Sequence, residues 1–174
     1  MDTLTRFATM VETAIDGGVR KLDAMDSPRF NRGVGFALAA PTIAVLATAR
    51  MLAPAAEGFG THTQLGLGSC TMLTLTGWPC PMCGMTTTFS HLAHFNVVDA
   101  ALTQPFGLVL YALTVAGAVV GLADLVTGAG WWRRSLRSVQ RFEEKGAIFL
   151  LLGMGLGWVY KCVRMHPEIL AWIS

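Results

Sequence analysis

PFGLVLYALTVAGAVVGLADLVT, from Pro105 to Thr127, runs 23 residues with one charge, Asp124, close to its end. A helix rises about 1.5 Å per residue, and about 20 predominantly apolar residues cross a bilayer's hydrocarbon core. This stretch is therefore expected to span a membrane, with Gly128-Ala129-Gly130 breaking the helix beyond it. Two weaker stretches flank it. Gly33–Ala49 is an uncharged run of 17 residues, reaching Leu52 if Arg50 snorkels its head to the interface. Gly146–Val163 carries Lys161 near its end. The expected fold is an all-α membrane protein with about three transmembrane helices, at about 33–53, 105–127 and 146–164, plus short interfacial helices.

Composition agrees. The 174 residues are 53% hydrophobic and 14% charged, with a mean hydropathy of +0.51, whereas soluble domains carry about a quarter charged residues. Of 13 Lys and Arg, five fall in the first 32 residues and five between Arg133 and Lys145, while Met51 to Trp132 contains none. Basic loops resist translocation. Segment 1–32 and loop 128–145 are thus expected in the cytoplasm and segment 54–104 outside, the outer segment and the loop both belonging to a membrane domain at 33–174. Trp131-Trp132-Arg133-Arg134 reads as an inner-leaflet anchor, its indoles at the headgroups and its guanidiniums in water; Asp124 nearby reads as solvated. Residues 1–32 show apolar positions at helical spacing (Leu4, Phe7, Val11, Ile15, Leu22) interleaved with Asp and Glu, an amphipathic segment on the membrane or on a partner. Those acids occupy the place of a secretory signal's apolar core, so no cleaved signal is expected. Net charge is only +2 and topology explains the basic clusters, leaving nothing to suggest nucleic-acid binding. Small residues recur four apart at Gly33/Ala37, Gly35/Ala39, Gly117/Gly121 and Gly153/Gly157, the spacing at which membrane helices approach closely.

All four cysteines (Cys70, Cys80, Cys83, Cys162) and all four histidines (His62, His91, His94, His166) fall on the expected outer side. The distinctive motif is Gly77-Trp-Pro-Cys80-Pro-Met-Cys83-Gly84. Pro79 and Pro81 fix their φ angles and Gly84 lets the chain turn back, so two sulfurs point to one locus. Met85–Phe95 is expected to be a helix whose N-terminal dipole favours a thiolate at Cys83.

Three readings follow. Cys70, Cys80 and Cys83 with His62, His91 or His94 make a Cys/His set of the kind that holds a structural zinc ion; His91 and His94 share a helix face. Alternatively Cys80 and Cys83 cycle between dithiol and disulfide, which an oxidising exterior permits. Thirdly, Cys70 is bridged to Cys80 or Cys83 as a staple, or the thiols merely pack. The leading expectation is a non-enzymatic component of a cytoplasmic membrane whose outward site binds metal. The alternatives are a thiol-disulfide or electron-transfer protein and an accessory subunit docking on other membrane proteins through its glycines. No phosphate loop, zinc-protease motif or Ser/His/Asp order appears.

The run from Cys70 through Thr76-Gly-Trp-Pro-Cys-Pro-Met-Cys-Gly-Met-Thr86 to Asp99-Ala-Ala and Gln104-Pro105 resembles a family of small bacterial membrane proteins, domain-of-unknown-function family 2752. The family pattern is a lone Cys, then T-G-x-x-C-P-x-C-G-x-T-R, then an N-P before a spanning segment. Thr87 stands where many members have Arg, and Gln104 where Asn is usual. The resemblance implies a multi-pass bacterial membrane protein and no particular activity.

Overall fold

A computed structural model describes residues 27–140 and 143–166, together with positions 6, 9–11, 13, 14 and 17. The proposed amphipathic segment at 1–26 otherwise lies outside the described residues, as do 141–142 of the basic loop. The described residues form helices and turns, with no strand among them. They are α1 (Pro28–Met51), a 3-10 turn (Thr61–Leu65), α2 (Thr71–Thr76), α3 (Met85–Ala93), α4 (Val97–Thr103), α5 (Pro105–Thr127), α6 (Trp131–Gln140) and α7 (Glu143–Met165).

Three of these are long and apolar enough to cross a membrane: Pro28–Met51, Pro105–Thr127 and Gly146–Met165. The first begins five residues before the apolar run because Ser27 caps it, its side chain accepting the Phe30 N–H at 3.2 Å, and Pro28 occupies the first turn. At most 22% of any spanning stretch is buried within the molecule. Phe36, Val119 and Leu152 are each about 60% exposed. In water such faces would aggregate; an apolar solvent suits them.

The bundle is held by close backbone approach. α1 runs antiparallel to α5, and a Cβ on Gly121 would lie 2.6 Å from the Ala39 amide nitrogen. One on Gly35 would lie 2.6 Å from the Leu125 nitrogen. Gly117 leaves ordinary contact with Thr42, whereas Gly153 and Gly157 receive the Phe106 side chain, with Gln104 also against Gly157. Gly33 faces open space.

At the end where α1 starts and α5 stops, polar groups close the bundle. Asp124, fully buried, accepts the Trp131 and Trp132 backbone N–H groups at 2.7 Å each, capping α6. Asn31 donates to the Gly128 carbonyl at 2.9 Å and accepts from Arg133 at 2.6 Å. Two expectations are corrected here. Asp124 is a buried cap rather than a solvated acid, because two orphan helix donors need an acceptor there. Arg133 is buried over the Trp132 ring, 5.1 Å from its centroid, and only Arg134 of that pair is exposed.

Candidate functional site: a three-thiol pocket

The opposite end gathers every cysteine and histidine. α3 and α4 pack across the ends of α1 and α5, with Ser90 donating to the Leu52 carbonyl at 2.5 Å. The Thr61 and Thr87 hydroxyls, both fully buried, meet at 2.8 Å and tie the 3-10 turn to α3. Thr87 thus fills a neutral core position where an Arg would need a charge partner.

The Cys80–Cys83 turn closes through the Cys83 N–H to the Cys80 carbonyl at 2.9 Å. Gly84 follows at φ +87°, and a Cβ there would lie 2.7 Å from the Gly58 carbonyl oxygen and 3.1 Å from Lys161 Nζ. Glycine is required twice over, for its left-handed conformation and for space. α7 braces the turn from behind. Trp158 Nε1 donates to the Pro79 carbonyl at 2.8 Å, and the His166 ring lies 4.5 Å from that of Trp78 with Nε2 3.1 Å from the Gly77 carbonyl. Gln104, fully buried, reaches the Pro81 carbonyl at 3.4 Å.

Cys70, Cys80 and Cys83 line one pocket of about 360 Å3, together with His62. All four cysteines are free thiols. Their environments differ. The Leu73 backbone N–H lowers the Cys70 thiol pKa below its ordinary value, with further help from the Cys80 thiol. Burial raises Cys80, and the facing Cys70 sulfur adds to that rise. Burial likewise pushes Cys83 up to about 11, only partly opposed by the Lys161 charge. The expected thiolate at Cys83 is therefore corrected: it sits behind the glycine that starts α3, and loss of water outweighs any favourable dipole. Of these three thiols, Cys70 is the one shifted toward the thiolate.

The histidines distribute otherwise than a four-ligand set requires. His91 lines a different cavity with Lys161 and Arg164. His94 turns its Nδ1 to the Ser90 carbonyl at 2.8 Å, within its own helix. His62 stays at the thiol pocket but places Nε2 3.1 Å from the Gly68 carbonyl. Among the described residues, no group of three or more His, Cys, Asp or Glu is arranged to hold a metal ion.

Sequence reasoning gave little weight to Lys161, which is 5% exposed and donates to the Gly58 and Thr103 carbonyls at 2.8 and 3.4 Å. The signal was present, since a lone ammonium near the end of an apolar helix needs a local partner. No curated protein and no solved structure matches the chain. The stretch holding Cys70, the Cys80–Cys83 turn, α3, α4 and the first half of α5, residues 70–118, matches the family described as "Protein of unknown function (DUF2752)".

Proposed function

We propose that this chain is a bacterial membrane thiol-disulfide protein in which Cys70 is the attacking thiol and Cys80 the resolving one. The observation that carries the reading is that two free thiols face each other in one pocket, the Leu73 backbone N–H favouring a thiolate at Cys70 and burial disfavouring one at Cys80. Thiolates attack disulfides, and thiols do not. The charge pattern supports an outward placement of this end, where disulfide chemistry is permitted.

The step balances without a cofactor. The Cys70 thiolate attacks a disulfide of a partner protein or small molecule, forming a mixed disulfide, and one partner sulfur leaves as thiolate and takes a proton. Cys80 then loses its proton and attacks Cys70 Sγ, forming a Cys70–Cys80 bond and releasing the second partner sulfur as a thiol. Two electrons pass from the dithiol to the partner disulfide, and the reverse sequence oxidises a partner dithiol. Cys83, buried and held protonated, supports the pocket rather than entering the exchange.

Acid trapping of membranes followed by alkylation tests this. Cys80→Ser is expected to accumulate a reductant-sensitive mixed disulfide at Cys70, which Cys70→Ser and Cys70→Ser/Cys80→Ser lack. Stoichiometric zinc that is lost in either single variant, with no trapped adduct, would show that the cysteines are ligands and overturn the exchange.

A further inference from the structure

The second cavity at the cysteine end, about 370 Å3, is unusual in its charges. Glu57, Asp99, Lys161 and Arg164 all line it, with His91 beside them. Among the described residues these side chains form no ion pair with one another, although both signs border one space. Asp99 accepts only from Asn96, at 2.5 Å, and Lys161 uses two of its three donors on the Gly58 and Thr103 carbonyls. His91 Nδ1 is buried there with no hydrogen-bond partner. Exposed carboxylates and a guanidinium around one open volume, with the buried Lys161 ammonium and a partnerless His91 nitrogen in its wall, suit a ligand that itself carries both signs.

The geometry points to this cavity as a binding site for a phosphoryl group joined to a primary ammonium, the chemistry of an aminophospholipid headgroup. Lys161 and Arg164 take the phosphoryl oxygens, Arg164 by its planar fork and Lys161 by its remaining N–H. Asp99 and Glu57 accept from the ammonium. Position favours a lipid as the source. The cavity lies at the end of the α7 span, and α4, which supplies Asp99, exposes Val97, Val98 and Leu102 at 54, 69 and 47%. Such a helix suits the headgroup–acyl boundary, with its apolar side against the chains. The site is separate from the thiol exchange and stands whether or not that reading holds.

Calorimetric titration of the full chain in maltoside detergent tests it, using dihexanoyl phosphatidylethanolamine, phosphatidylcholine and phosphatidylglycerol, and free phosphoethanolamine. The ethanolamine lipid is expected to bind about tenfold tighter than the choline lipid, whose methylated ammonium cannot donate, and than the glycerol lipid, which has no ammonium. Arg164→Gln, at an exposed position that leaves the Lys161 bonds intact, is expected to weaken ethanolamine-lipid binding by about tenfold. Asp99→Asn should erase the ethanolamine preference. Free phosphoethanolamine binding as tightly as the lipid would support the site and assign it to a soluble zwitterion; much weaker binding assigns it to lipid. Equal affinity for all three headgroups, or affinities unmoved by both variants, overturns the proposal.

Discussion

Cys83 and Gly84 show how one turn sets both reactivity and shape. With a folded-state pKa of about 11 against 9.0 when free, Cys83 binds its proton more tightly in the folded chain. Its stabilising contribution is complete below pH 9 and is lost as pH rises toward 11. The thermal midpoint of the wild type is expected to fall more steeply over that interval than that of Cys83→Ala, measured by intrinsic fluorescence in detergent. Equal slopes would mean that the thiol is not held protonated. Gly84→Ala places a Cβ at φ +87° against the Gly58 carbonyl; the backbone term alone costs about 1–2 kcal/mol. Loss of the slow alkylation of Cys83, so that it reacts as quickly as Cys70, is the expected sign that the turn has opened. At this scale the sequence was legible in part. The C-P-M-C-G turn could be read from Pro79, Pro81 and Gly84. The order of thiol acidity could not, because it depends on Leu73, on burial and on which sulfur faces which, and none of these is a property of spacing. For the same reason His91 and His94, three apart in sequence, diverge: His91 lines the charged cavity and His94 turns its Nδ1 back to the Ser90 carbonyl.

Elements were more legible, since length and hydropathy decide a spanning helix before any contact forms. The ends moved where local chemistry intervened: Ser27-Pro28 started α1 early, and the expected loop at 128–145 contains α6, launched by Asp124 across the turn. Asp124→Ala removes the acceptor from two backbone donors, that of Trp132 buried, and is expected to cost about 2 kcal/mol, with Asp124→Asn costing less. A thermal midpoint unchanged in Asp124→Ala would contradict the capping role. The four-residue glycine spacing was readable as packing, but not which face met which. Gly121→Leu drives a side chain into the α1 backbone and is expected to destabilise by about 1–3 kcal/mol. Gly155→Ala, where nothing lies within 4 Å, should leave the midpoint unchanged. The pair of variants separates close packing from the general cost of altering a membrane helix; equal losses would remove Gly121 from the helix contact.

Across the whole molecule, polarity is divided between two ends of an apolar bundle. One end, with Asn31, Asp124 and Arg133, is a hydrogen-bonded plug; the other holds the thiols, the histidines and a cavity bordered by charges of both signs. Among the described residues, the cavities lined by thiols, histidines and charged groups lie at the second end, and the proposed chemistry is placed there. The claim on which this rests is that Cys70, remote in sequence from the C-P-M-C turn, is the redox partner of Cys80. Proteolytic mass spectrometry of the purified protein after oxidation with glutathione disulfide measures that pairing directly. The account predicts a Cys70–Cys80 cross-link with Cys83 recovered as a free thiol; a Cys80–Cys83 cross-link, or three thiols that resist oxidation, would contradict it.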